Sequence, residues 1–299
     1  MRFGIMAMQI NSLVPQGLPP EKVMAHIAGF DHAEHVRSLH SHGFNPIELG
    51  GDLELFLPHT FNPAAIEGLA QLKQESGVDY TLHLPLWSVE PSTPLAPVRK
   101  GSVDGVVASI QATALLEPEV YVLHATGALA AEFYRMRLPE VAKTIILRQF
   151  QSNARESIRR ILSETGIPSK KLAIETVEFP FELTLELAQE LDLSICFDTG
   201  HVLVGFSGPV ETFEALERCL PRLGEVHLHD GPWQGPDMII GYGKDHQPLG
   251  TGDLDVARLL DVLGAAEFNG PVIFELSVEG AKTSLEYIRK VQRDTVYCS

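Results

Sequence analysis

An eightfold alternation of short apolar segments with longer helical ones constrains the fold of this chain more than any other feature. The short segments are rich in Val, Ile, Leu and Phe and mostly apolar on both faces, which is typical of parallel strands buried on both sides. Eight β-then-α units in 299 residues predict an α/β fold, a single (β/α)8 TIM barrel over 1–299, rather than an open doubly wound sheet. The predicted strands lie near 2–8, 45–50, 79–84, 119–124, 171–176, 193–198, 224–229 and 271–276, and the predicted helices near 21–42, 63–77, 99–116, 137–166, 182–191, 209–220, 253–265 and 281–293.

Residue types that ligate metals stand at the ends of most of these strands. Imidazoles and carboxylates are expensive in an apolar strand unless they are paired or hold a cation. The active site of a (β/α)8 barrel lies at the C-terminal ends of its strands, so these side chains are expected to converge there. The residues concerned are His83, His124, Glu175, Asp198 with His201 just beyond it, His227 and Glu275.

Four of these residues form the predicted main metal site: Glu175, Asp198, His227 and Glu275. Two Glu, one Asp and one His make a hard, oxygen-rich donor set that suits Mn²⁺, Mg²⁺, Co²⁺ or Zn²⁺. The alternative for each carboxylate is an ion pair with a local Lys or Arg. Glu175 and Glu275 are also the predicted catalytic residues, either as bridging ligands or as a proton-transferring pair.

Further histidines extend this prediction to more than one ion. His83 and His124, with Glu175 or Glu275 as a bridge, predict a second metal position, and His201 with His246 predicts a third. The alternative for each is a core histidine hydrogen-bonded to the backbone. We therefore expect one to three divalent ions, with zinc or manganese favoured.

Long loops after strand ends are typical substrate lids, and three are predicted, near 9–20, 85–98 and 230–252. The third carries Trp233 and Lys244, which we predict to contact substrate together with His229, although a rim histidine and a solvated loop lysine are the alternatives. Glu48, at the end of the second strand, is expected to face the substrate. Histidines in and around the first predicted helix are expected to be solvated: His26, His32, His35, His40 and His42.

Composition and charge narrow the classes of molecule that this chain is expected to bind. The net charge is −16 and no basic stripe is present, which argues against nucleic acid and favours a small-molecule substrate. No apolar run of about 18 residues or more and no signal peptide is recognisable, so no membrane association is expected. Three cysteines without CxxC spacing suit a cytoplasmic location. The sequence does not decide the oligomeric state, and a homodimer is one possibility.

Several motifs together resemble the xylose isomerase-like barrel superfamily, which joins sugar isomerases and epimerases with zinc-dependent apurinic-site endonucleases. The resemblance implies that positions matching Glu175, Asp198, His227 and Glu275 hold the metal in both branches. In the phosphodiester-cleaving branch, positions matching His83, His124, His201 and His246 complete a multi-zinc site. The matching motifs are Ala173–Thr176, Phe197–His201, Val226–Asp230, His246–Gly252 and Phe274–Leu276.

One position departs from the phosphodiester-cleaving branch. That branch has Asp two residues before the histidine matching His246, where this chain has Lys244, with Asp245 adjacent. The segments His83–Leu86, Tyr121–His124, 175–181 and Cys196–His201 are further similar to the cobamide-remodelling phosphodiesterases of the superfamily. The resemblance implies a phosphoesterase acting on a small or cofactor-like substrate. The alternatives are a one-metal sugar isomerase or epimerase and a degenerate barrel kept for binding.

Overall fold

The computed structural model describes residues 1–8, 13, 17–178, 180–234 and 243–298. Eight parallel strands close into a barrel in which each strand pairs with its neighbours in the chain and β8 pairs with β1. The predicted (β/α)8 barrel is therefore confirmed. The strands are β1 (Arg2–Met6), β2 (Ile47–Gly50), β3 (Tyr80–His83), β4 (Tyr121–Leu123), β5 (Leu172–Glu175), β6 (Ser194–Asp198), β7 (Leu223–His227) and β8 (Pro271–Phe274).

Helices surround the barrel and follow the predicted positions with one correction and two additions. The single helix predicted over 21–42 is wrong, because Gly29 ends one helix and the Asp31 side chain accepts from the Glu34 backbone N–H to start another. The two short helices α5 and α8 were not predicted. The helices are α1 (Pro20–Ala28), α2 (His32–Ser41), α3 (Pro63–Ser76), α4 (Ala96–Thr113), α5 (Ala128–Arg135), α6 (Glu140–Thr165), α7 (Phe181–Glu190), α8 (Thr199–Leu203), α9 (Thr212–Cys219), α10 (Val256–Ala265) and α11 (Val278–Cys298), with 3-10 turns at Gly51–Leu55, Ala114–Leu116, Ser169–Lys171 and Leu220–Arg222.

The core lies between the strands and the helices, and most strand residues are buried. Strand register sets the height of each inward side chain, as when Asp198 on β6 pairs with His227 on β7. Because all strands run the same way, their C-terminal residues meet at one mouth of the barrel. Within the described ranges, no helix combines the length and apolarity needed to cross a membrane.

The predicted loops are found only in part. The loop predicted over 85–98 ends where α4 begins at Ala96. Of the loop predicted near 9–20, residues 9–12 and 14–16 lie outside the described residues, as do residues 235–242 of the loop predicted over 230–252.

Candidate metal centre

The first cluster joins the ends of β3, β4 and β5. Glu175 Oε2 lies 3.2 Å from His83 Nε2 and 2.9 Å from His124 Nε2. The His83 Nδ1–H donates to the carbonyl of Leu84 at 2.9 Å, because a carbonyl can only accept. A neutral His83 ring therefore presents a lone pair at Nε2 toward the carboxylate. That contact is favourable if a cation lies between the two atoms or if the ring itself is protonated.

The second cluster lies beside the first and shares Glu175 with it. His227 Nδ1 is 3.8 Å from Glu175 Oε1, 3.7 Å from Asp198 Oδ2 and 3.3 Å from Glu275 Oε1. All four side chains are buried, with the largest exposure at Glu275. The four residues of the predicted main metal site are thus brought together at one point.

Unpartnered atoms test whether this donor set fits a metal. Glu175 Oε1, His201 Nδ1 and His227 Nδ1 are buried without an aligned hydrogen-bond partner among the described residues. His201 Nδ1 nevertheless lies 2.9 Å from Glu175 Oε1. Buried polar atoms without partners are costly, and a shared divalent cation would satisfy all three at once. The donor chemistry of nitrogen and carboxylate oxygen suits zinc or manganese.

The third cluster joins His201, His229, His246 and Glu275, each offering a donor atom within 4.8 Å of the others. His246 Nε2 lies 3.0 Å from Glu275 Oε2. Asp245 Oδ2 lies 3.0 Å from His246 Nδ1 and 3.5 Å from His201 Nε2. The Asp245 carboxylate, next to Lys244 in the sequence, therefore lies beside both histidines.

The electrostatics of the centre reflect many opposite charges at close range. Burial alone would raise the pKa of Glu175, but the charges of His124 and His227 hold that pKa well below its usual range. Burial also acts to raise the pKa of Glu275, but the charges of His227 and His246 lower that pKa to about 2. Despite burial, carboxylates raise the pKa of His246 to about 10. The carboxylates are therefore ionised at neutral pH, as metal ligands must be.

Local structure places Asp198 and His201. Asp198 ends β6 and caps α8, its Oδ1 accepting from the His201 backbone N–H at 2.6 Å. This turn aims both side chains at the mouth. Gly200 is required there, because a Cβ at that position would stand 2.1 Å from Nδ1 of His229.

A single carboxylate folds the loop that carries His246. Asp230 accepts from the backbone N–H groups of Gly250, Gly252 and Leu254 at 2.9–3.0 Å. His246 itself has φ +55°, in the left-handed region that non-glycine residues seldom adopt. Strained backbone of this kind occurs at ligand clamps, where the surrounding structure enforces it.

The predicted substrate contacts lie apart from one another. His229 is fully buried, with Nε2 2.9 Å from Asp198 Oδ2 and Nδ1 accepting from the His246 backbone N–H at 2.8 Å. Trp233 lines a separate cavity of about 360 Å³ beside Thr212, and Lys244 is exposed. None of these three residues is in the lining of the cavity above the clusters, and their role in substrate binding stays a prediction.

The cavity above the clusters measures about 610 Å³. Its floor is formed by ligand candidates from all three clusters. Glu178, which the sequence reasoning missed, adds a further carboxylate 3.8 Å from His124 Nδ1. No Lys or Arg is among the described lining residues. The walls are apolar and consist of Met6, Met8, Leu86, Trp87, Val177 and Phe206.

Two further acids, Glu48 and Glu225, are fully buried inside the barrel. Glu48, expected to face the substrate, is fully buried inside the barrel instead, with Oε1 3.3 Å from His227 Nε2. Glu48, Glu225 and His227 form a fourth group, in which each residue offers a donor atom within 4.8 Å of the others. The expectation for Glu48 was wrong because β2 turns its side chain toward the axis at a level below the mouth. This group is called the inner cluster.

The fold and the site define a (β/α)8 barrel with a candidate multi-metal centre at its mouth. The family model described as "Xylose isomerase-like TIM barrel" matches residues 36–291, and the chain belongs to this family. An uncharacterized protein of Methanocaldococcus jannaschii is 24% identical over 245 residues, which cover 78% of this chain and 76% of that relative.

Solved structures of epimerases and of an endonuclease resemble this barrel. A D-tagatose 3-epimerase-like protein has a TM-score of 0.70 at 20% identity, covering 98% of this chain and 97% of its own. A 3-keto-D-glucoside 4-epimerase from E. coli has a TM-score of 0.66 at 18% identity, covering 97% and 99%. Endonuclease IV from Thermus thermophilus has a TM-score of 0.65 at 18% identity, covering 98% and 100%. At these identities the likeness concerns the fold.

Proposed function

We propose that this chain is a divalent-metal-dependent phosphoesterase that hydrolyses a phosphodiester of a small or cofactor-like molecule. The observation that carries the proposal is the position of Glu175, which lies between His83 and His124 on one side and His201 and His227 on the other. One carboxylate thus serves two adjacent clusters. A one-metal isomerase needs only the second cluster, so the additional imidazoles favour phosphoester chemistry.

The residues divide into holding and orienting roles in this proposal. Bound metal would supply a hydroxide near neutral pH and neutralise the phosphate oxygens. Glu175 would bridge the first and second clusters, and Glu275 the second and third. His229, fixed by its hydrogen bonds to Asp198 and the His246 backbone, would keep Asp198 oriented rather than touch substrate.

The cavity supports a substrate with an apolar or planar portion. Its walls are apolar, and Trp87 stands exposed beside Phe56, their ring centroids 6.0 Å apart. No Lys or Arg lines the described part of the cavity, so a phosphate group would find its main positive partners in the metals. The net charge of −16 further disfavours a polyanionic nucleic acid.

A sugar isomerase or epimerase is the second candidate. It is favoured by the completeness of the second cluster on its own and by two carboxylates near His227 Nδ1, with Glu175 Oε1 at 3.8 Å and Glu275 Oε1 at 3.3 Å. In that reaction one metal would polarise a carbonyl while the carboxylates exchange a proton with the substrate carbon.

The two functions are separated by assaying zinc- and manganese-loaded protein against a phosphodiester panel and against a ketose panel in deuterated water. We expect phosphodiester cleavage, with no deuterium entering sugar carbon, and we expect Glu175→Gln to abolish it together with metal binding. His42→Ala, an exposed histidine on the outer surface, serves as the control. Deuterium incorporation into a ketose without phosphoester cleavage would reverse the order of the two candidates.

A further inference from the structure

The inner cluster lies inside the barrel and faces away from the cavity. It joins Glu48 on β2 with Glu225 and His227 on β7, each fully buried. The Thr81 hydroxyl, from β3, lies 3.1 Å from both Glu48 Oε2 and Glu225 Oε1. Burying polar groups at this depth costs free energy, and none of the three residues is among the described lining residues of the cavity.

His227 connects this cluster to the candidate metal centre. Its Nδ1 faces the carboxylates of the second cluster, and its Nε2 faces Glu48 Oε1 at 3.3 Å. An imidazole that binds metal through one nitrogen keeps its proton on the other, and a carboxylate beyond that proton raises the basicity of the ligating nitrogen. His227 Nε2 and Glu48 Oε1 are both buried without an aligned hydrogen-bond partner among the described residues, so each is open to the other.

We infer that Glu48 is a positioning residue for the metal centre, which keeps the proton of His227 on Nε2 and so leaves Nδ1 free to bind metal. This inference rests on the second cluster being a metal site, which the proposed function also assumes, but not on the reaction. Glu48 touches no substrate and acts only through His227.

Distance distinguishes Glu48 from Glu225: Glu48 Oε1 lies 3.3 Å from His227 Nε2, and Glu225 forms no ion pair with His227 among the described residues. The Glu225 carboxyl is instead placed against Thr81, whose hydroxyl lies 3.1 Å from Glu225 Oε1. Cys196 also stands near His227, but burial raises the pKa of its thiol, which therefore carries no charge at neutral pH.

The test compares Glu48→Gln with Glu225→Gln, because each replaces a carboxyl by a neutral amide of equal size. Zinc affinity is measured by competition with a chromophoric chelator, and cobalt-loaded protein is followed by its visible absorption. We expect Glu48→Gln to weaken the affinity of one ion by about 10- to 100-fold and to shift the cobalt spectrum. Glu225→Gln should leave both unchanged, since the Glu225 carboxyl forms no ion pair with His227 among the described residues.

Two results would overturn the inference. Unchanged affinity in Glu48→Gln would show that Glu48 does not act on the metal, and loss of one ion in both variants would assign the inner cluster itself to a cation. If Glu48→Gln does not fold, ¹⁵N NMR of histidine-labelled, zinc-loaded wild type decides instead. We expect His227 to carry its proton on Nε2, and a proton on Nδ1 would refute the inference. These measurements need no substrate, so a failed phosphodiester assay leaves them interpretable.

Discussion

Replacing His124 with Ala tests whether the first cluster holds a metal. His124 supplies one of its three ligand candidates, with Nε2 2.9 Å from Glu175 Oε2. The variant keeps two ligands there and leaves the second cluster complete. We therefore expect bound zinc to fall by one ion per chain. Loss of a hydrogen-bond partner outside the ligand shell lowers metal affinity by about 10- to 100-fold, or roughly 1.4–2.7 kcal/mol. His124 is a direct ligand candidate, so its loss should lower the zinc affinity of this position by more than that.

The structural cost of this substitution should be small. The His124 side chain is 11% exposed and lines the open cavity of about 610 Å³. Truncation therefore enlarges a space that water can enter. A sealed void left by a large buried side chain would instead cost about 2–5 kcal/mol of stability. We expect the zinc-free variant to remain folded.

The measurement is metal content by mass spectrometry after dialysis at fixed free zinc, together with thermal unfolding followed by circular dichroism. His42→Ala, which changes an exposed histidine, is the matched control and should keep the wild-type stoichiometry. Unchanged metal content with a large loss of stability would refute the reasoning, because it would identify His124 as a core histidine and favour the isomerase.

Three further predictions concern metal, acid and the cavity wall. Removing zinc with a chelator should lower the free energy of unfolding by about 2.7 kcal/mol for each site at which free zinc had been 100 times the Kd. The loss is measured as a fall in Tm that added zinc restores. His32 is buried against the Thr60 carbonyl, and burial lowers its pKa to about 4. Acid then protonates the unfolded chain first, so about 3 kcal/mol of stability should be lost as pH falls from 6.5 to 4, and His32→Gln should flatten that part of the urea-derived profile. Trp87→Ala should raise KM by about 2- to 10-fold with kcat nearly unchanged, as expected for a wall residue that packs on substrate; an equal fall in kcat would place Trp87 in the chemistry.

The pH prediction also shows where reasoning from local pattern is wrong. His32 was expected to be solvated, as histidines on a surface helix are. The chain instead breaks between α1 and α2, and the new helix turns His32 inward against Phe61, with ring centroids 5.4 Å apart. The Gly29 and Asp31 signals that separate the two helices were present in the sequence.

The sequence by itself determined the barrel and the residues at its mouth. Strands buried on both sides are continuous apolar runs, so a carboxylate or imidazole at the end of such a run, such as Glu175 or His227, is conspicuous. Parallel strands then bring these ends together without further information. The convergence of Glu175, Asp198, His227 and Glu275 follows from that periodicity alone.

Only the tertiary structure decided what surrounds those residues. The inward turn of Glu48 depends on the register between β2 and β3, where Glu48 pairs with Thr81. The arrival of Asp245 beside His201 depends on the loop that Asp230 folds through its backbone hydrogen bonds. Register and loop path are set by contacts between residues far apart in the chain, and a local pattern does not encode them. The nitrogen that each histidine turns toward the centre is fixed in the same way, by partners such as Leu84 and Glu48.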